Sequence, residues 1–138
     1  TERLISESEG QQFDQSAAFA ATVEKLKKSP PKSPPLGNKK PASTQSSVTQ
    51  FIRDPAVVVW VLAEAAGLCE CCGKPAPFMR EDGSPFLEVH HVLRLADGGE
   101  DTTSNAAALC PSCHRELHYG AEKRELAAKL RRRVPRLS

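Results

Sequence analysis

Leu109-Cys110-Pro111-Ser112-Cys113-His114-Arg115-Glu116-Leu117-His118-Tyr119-Gly120 is the stretch on which the fold turns. Pro111 suits the first position of a helix and Gly120 its end. On that helix His114 and His118 stand at i, i+4, on one face, a spacing that suits metal ligation. Just before them, Cys110 and Cys113 form a Cys-x-x-Cys pair, and Cys69-Glu70-Cys71-Cys72-Gly73 supplies a second. Each pair brings two thiolates within reach of one ion, and two pairs complete a tetrahedral sulfur site, which favours zinc. The ligands are then Cys69, Cys72, Cys110 and Cys113, with Cys71 in a spacer position. Two disulfides in a secreted chain are the alternative. Tight spacing within each pair, an odd total of 5 Cys and the lack of a secretory-signal pattern disfavour it. A thioredoxin-like redox pair would need a strand–Cys-x-x-Cys–helix unit in a parallel sheet, and none is apparent. Zinc alone says only that a metal holds the fold. It closes a loop of 37 residues between Cys72 and Cys110, so whatever that loop carries is displayed by the clamp.

The loop and the helix after it carry the chemistry-bearing side chains. All 4 His of the chain, His90, His91, His114 and His118, fall in this window, with Asn105 among them. Side chains alternate along a strand, so neighbours His90 and His91 point to opposite sides. One ring can hold a metal while the other stays available as a base. Satisfied surface or core histidines, or a second structural zinc, are the plain alternative, and four in pair and i, i+4 arrangement weigh against it.

Working outward, Asp54 can cap a helix that begins at Pro55 and ends by Gly67, with Ala56–Ala63 apolar nearly all round. Residues 76–90 read as a hairpin, with Glu81-Asp82-Gly83-Ser84 as its turn and Phe86–His90 as the returning strand. A short strand is expected over Ala106–Leu109 and a basic helix over 121–133. Near the N-terminus, Phe19, Val23 and Leu26 fall at i, i+4, i+7, which predicts one short amphipathic helix within Gln15–Ser29. Pro30 and Pro31 stop it. The Pro/Ser/Lys-rich residues 29–50 cannot bury enough surface to offset chain entropy and read as a poorly ordered linker.

The 138 residues suit one small domain plus tails, and no apolar run is long enough to span a membrane. Charge is uneven: net +2 over residues 1–50, −5 over 51–120 and +5 over 121–138. The basic tail of Lys123, Arg124, Lys129, Arg131, Arg132, Arg133 and Arg136 can supply phosphate contacts, or simply be a solvated helix end. A core of this size commonly needs a metal or disulfide. Thr1 rather than Met stands first, which leads us to expect a processed or truncated piece.

The order Leu87-Glu88-Val89-His90-His91, Gly98-Gly99-Glu100-Asp101, Asn105, then Cys110-Pro111-Ser112-Cys113-His114 through His118 resembles the HNH nucleases, also called His-Me finger or ββα-metal nucleases. It resembles their zinc-clamped form, most of all the nuclease domain of restriction enzymes of the 5-methylcytosine-specific protein A type. The resemblance covers about residues 52–121. It implies a small α+β fold: a ββα-metal (His-Me finger) core with a four-cysteine zinc clamp, flanking helices and a largely disordered N-terminal linker. Residues 1–50 are then an N-terminal helix plus linker, and 51–138 an HNH endonuclease domain with a basic C-terminal helix. Carried over residue by residue, His91 is the general base and Asn105 holds the loop that keeps His91 oriented. His90, His114 and His118 hold the catalytic divalent ion. Arg115, Lys123, Arg124, Arg131, Arg132 and Arg133 face the DNA backbone.

The implied activity is metal-dependent hydrolysis of DNA phosphodiesters by a single-metal mechanism in a bacterial-type, intracellular restriction system, with modified DNA as a candidate target. A divalent cation offsets the phosphate charge and the leaving oxygen, and an imidazole of ordinary pKa near 6.5 deprotonates water at neutral pH. Zinc is the structural ion. The catalytic one is Mg, Mn, Ni or Zn, since neutral imidazoles favour transition metals whereas the family commonly uses Mg or Mn. A double-strand break from one metal site calls for a homodimer. Base specificity is expected outside the ββα core, upstream of Thr1 or in the N-terminal helix. The competing readings are a non-catalytic zinc-binding nucleic-acid module, and a nuclease toxin or homing endonuclease with the same chemistry.

Overall fold

A computed structural model describes residues 17–137. The chain divides into two compact units, 1–50 and 51–138. In the first, helix α1 spans Ala17–Lys28 with no buried residue, and the stretch to residue 50 contains neither helix nor strand. Gln15 and Ser16 of the expected helix lie outside the described residues.

The second unit begins with helix α2, Pro55–Ala65. Asp54 caps it by accepting from the Ala56 N–H at 2.9 Å. Its end comes one residue before Gly67: Ala66 takes the left-handed conformation with φ 51 and donates to the Ala63 carbonyl. Apolar all round, α2 buries Val61 and Ala65, packs Val57, Val58 and Leu62 against the core, and leaves Val59 and Trp60 exposed.

Strands β1, Glu88–His91, and β2, Ala106–Leu109, form a two-stranded antiparallel sheet. Its register sets Glu88 opposite Leu109, Val89 opposite Ala108, His90 opposite Ala107 and His91 opposite Ala106. Small Ala106 and Ala107 thus stand across from the two imidazoles and leave room for them. All four residues of β2 are buried, with α2 against the sheet. Helix α3, Pro111–Tyr119, and helix α4, Lys123–Arg133, complete the unit, and Leu130 of α4 is buried in the core beside Val134 and Leu137. This unit is a small α+β domain, with three α-helices and one two-stranded sheet among the described residues.

The hairpin expected over 76–90 forms only around its turn, over 78–86. Its turn closes, with Arg80 N–H donating to the Ser84 carbonyl at 2.7 Å and Gly83 N–H to the Arg80 carbonyl at 2.9 Å. The pairing beyond it is short: Met79 bridges Pro85, the Phe86 N–H donates to the Phe78 carbonyl at 3.0 Å, and Phe78 stacks on Phe86 at 4.6 Å, while a separate single bridge joins Leu68 to Pro75. Pro75, Pro77 and Pro85 have no N–H to give a ladder. The returning strand starts two residues later than Phe86 and takes β2 as its partner instead.

Candidate metal centre and its neighbours

Two knuckles build the cysteine cluster. In the first, the Cys72 N–H points at Cys69 Sγ at 3.5 Å, and in the second the Cys113 N–H points at Cys110 Sγ at 3.5 Å. Cys110 is at once the N-cap of α3 and one of the clustered sulfurs, so the helix start and the sulfur cluster are one local structure. The four sulfurs lie within 4.8 Å of one another. Zinc–sulfur bonds of about 2.3 Å in a tetrahedron place sulfurs about 3.8 Å apart, so the group fits zinc. Burial pushes the Cys110 and Cys113 thiols up. Burial acts the same way on Cys69, but N–H groups of Cys110, Cys72 and Cys71 outweigh it and bring that thiol down to about 7. Cys71 is buried in the spacer position, and burial raises its thiol.

Gly73 closes the first knuckle at φ 77, and a Cβ there would fall 2.7 Å from the Arg133 guanidinium. The guanidinium could swing aside, but the left-handed backbone at this position favours glycine. Glu70, inside the knuckle, reaches across the domain. It takes a two-pronged ion pair from Arg136 at 2.7 and 2.9 Å and accepts from the Ala108 N–H at 2.9 Å. Arg136 also donates to the Thr103 and Ala106 carbonyls, both at 3.1 Å, and lies over Trp60 at 5.3 Å. The expectation that Arg136 faces phosphate is therefore corrected: its donors are spent inside the domain. Lys123, Arg124, Arg131, Arg132 and Arg133 are exposed along α4, with Arg133 also against the knuckle.

The second cluster sits on one face of the sheet. Strand alternation puts Glu88 and His90 on the same side, and α3 brings His114 and His118 to meet them. The three rings lie with centroids 5.0 to 5.3 Å apart, and one nitrogen from each falls within 4.8 Å of the others. His114 Nδ1 is 3.0 Å from Glu88 Oε1, while its buried Nε2 has no hydrogen-bond partner among the described residues. A carboxylate on one ring nitrogen and a metal on the other is how ligating histidines are usually held. The residues fit a divalent cation on that ground. The hydrogen bond from His114 holds the Glu88 carboxyl below its ordinary range, helped by the charge of Arg115 and Arg80 nearby. Arg115 is exposed on α3, over Tyr119 at 6.0 Å.

His91 faces the other way. Its ring is 0% exposed and its Nε2 lies 2.8 Å from Asp101 Oδ1. Asn105 ties down the connecting loop: its Nδ2 donates to the carbonyls of Leu93 at 2.9 Å and Glu100 at 2.7 Å, and its Oδ1 accepts from the Leu93 N–H at 2.8 Å. In that loop Gly99 is required outright, because a Cβ would overlap the Leu93 carbonyl oxygen.

Spacing along the chain assigns Glu88, Asp101 and Glu70 no role. For Glu88 a signal is present, since two residues before His90 in a strand is the same face. Asp101 and Glu70 act across long loops and carry no such mark.

This combination of paired knuckles, a His doublet split across a strand and an asparagine-tied loop is that of the HNH endonucleases, whose family model matches residues 69–120. Over 105 residues the chain is 50% identical to the type IV methyl-directed restriction enzyme EcoKMcrA of Escherichia coli K12, covering 76% of this chain and 38% of that enzyme. The uncharacterized protein YisB of Bacillus subtilis 168 is 33% identical over 67 residues, 49% of this chain and 57% of YisB. Among solved structures, the type IV phosphorothioation-dependent restriction endonuclease ScoMcrA superposes with a TM-score of 0.56 at 38% identity, over 62% of this chain and 18% of ScoMcrA. The chain thus spans well under two thirds of each relative. No described helix is long and apolar enough to cross a membrane.

Proposed function

We propose that this chain is the nuclease part of a metal-dependent DNA endonuclease of restriction type, acting in a bacterial cell on modified DNA. The observation that carries this is the split of the doublet: His90 joins His114 and His118 around one point, while His91, next in the chain, faces away and pairs with Asp101. Bound by the three imidazoles, a divalent cation such as Mg, Mn, Ni or Zn supplies charge compensation at the phosphate and the leaving oxygen. Glu88 holds His114 in the orientation that leaves Nε2 for the ion. His91 takes the proton from the attacking water. Because its ring is sealed, the side chains over it must shift as the phosphodiester docks. Asn105 holds the loop so that His91 keeps its orientation. Arg115 and the exposed bases of α4 grip the backbone, and two copies cut the two strands. The methyl-directed and phosphorothioation-dependent activities named for the relatives support modified DNA as the target class.

The test is nicking of supercoiled plasmid, methylated and unmethylated, by zinc-loaded protein with Mg, Mn or Ni. His91→Ala is expected to keep the fold and the zinc and to lose cleavage altogether. Nicking by that variant at the wild-type rate overturns the base assignment. Metal-independent DNA binding with no cleavage by the wild type leaves the non-catalytic zinc module in its place.

A further inference from the structure

Asp101 sits between the start of α2 and His91. One carboxylate oxygen, Oδ1, lies 2.8 Å from His91 Nε2, and the other, Oδ2, accepts from the Asp54 N–H at 2.6 Å. The backbone just ahead of it is fixed as well, because Asn105 holds the Glu100 carbonyl at 2.7 Å. Both ends of Asp101 are therefore tethered, and its side chain keeps 19% exposure while the ring it touches has none.

We propose that Asp101 is the positioning residue for His91: its carboxylate accepts the Nε2–H, fixes that tautomer of the neutral ring and leaves the basic lone pair at Nδ1. This rests on His91 being the base. A carboxylate has no proton to give, so the hydrogen in a 2.8 Å contact belongs to Nε2. A neutral imidazole carries one N–H, and fixing it on one nitrogen makes the other the acceptor. The path of constraint then runs from Asn105 to the Glu100 carbonyl, through Asp101 to the imidazole. Asn105 thus acts on the ring at second hand, through the loop it holds. The Asp54 N–H adds a direction: it is a donor, so whatever stands at position 101 must present an acceptor to it.

That direction makes Asp101→Asn diagnostic. The Asn oxygen stays on the Asp54 N–H, and its NH2 then faces His91 Nε2 as a donor, which forces the opposite tautomer. Histidine side-chain 15N–1H correlation on the zinc-loaded full chain with Mg is expected to show Nε2–H at His91 in the wild type and Nδ1–H in Asp101→Asn. In plasmid nicking, kcat of the variant falls at least about a hundredfold, as wrong-tautomer variants of a His–Asp pair do, while KM, zinc content and Mg affinity stay as in the wild type. An Nδ1–H tautomer in the wild type overturns the proposal without any variant. So does a variant with wild-type kcat when His91→Ala is inactive, or one whose loss of rate follows loss of Mg. Should His91→Ala itself cleave normally, the base assignment fails on its own, and the tautomer measurement still judges whether Asp101 holds the ring.

Discussion

The cysteine cage and the imidazole cluster are built by opposite means. In the cage each half is local: two thiols three residues apart, each half with its own N–H to sulfur contact at 3.5 Å. Only the meeting of the halves is long-range, and four sulfurs close the shell. The imidazole cluster has one local pair, His114 and His118 on α3, and the rest of it is assembled across the fold. It needs the strand register to put His90 beside Glu88, a helix to bring His114 and His118, and the Glu88 carboxylate to turn His114. Three nitrogens leave positions open for other oxygens. A closed, locally specified site suits holding a fold, and an open, globally specified one suits chemistry.

That contrast can be broken most directly at the cage. Structural zinc in small modules contributes on the order of 10 kcal/mol, so a strong chelator is expected to abolish the cooperative melting of residues 51–138 by circular dichroism. An unchanged transition would deny the cage its structural role. Burial keeps the Cys110 and Cys113 thiols above their ordinary range. They carry protons in the metal-free chain at neutral pH and release them as zinc binds. Zinc affinity therefore climbs as pH rises and drops as acid is added, which competition with a chromophoric chelator reads out.

A smaller effect sharpens the other side. Glu88→Gln is expected to weaken Ni or Co binding at the imidazoles about ten- to a hundredfold by calorimetric titration, with zinc content unaltered. Equal affinity would mean that His114 needs no support. The least effect falls on a change that touches neither cluster. Ala66→Gly relieves a left-handed alanine at the exposed end of α2 and should raise stability by about 0.5 kcal/mol in urea denaturation.

How much is legible in the sequence follows the same division. Cys-x-x-Cys spacing, Pro111 and Gly120 mark α3, and β2 is readable as Ala106–Leu109, because each signal lies within a few residues of what it specifies. The zinc-capable cysteine set is readable for the same reason. Reading fails where partners are distant. Residues 76–80 and 86–90 alternate like a hairpin, but Pro77 and Pro85 lack donors, the pairing stops at Phe78 and Phe86, and β2, far along the chain, takes Glu88–His91. Arg136 resembles one more base in a solvated tail. Its guanidinium is claimed by Glu70, 66 residues away, and by two carbonyls. Asp101 follows the Gly98-Gly99 pair with no role of its own in the sequence, and only the folded loop sets it against His91.

Evolution of this site is tightly channelled by strand parity. Inserting or deleting one residue within Glu88–His91 would turn both imidazoles to the opposite faces of the strand while composition and local sequence stayed nearly the same. Homologous chains should therefore tolerate length variation in the loops around residues 76–86 and 93–100 far better than a single-residue shift within Glu88–His91.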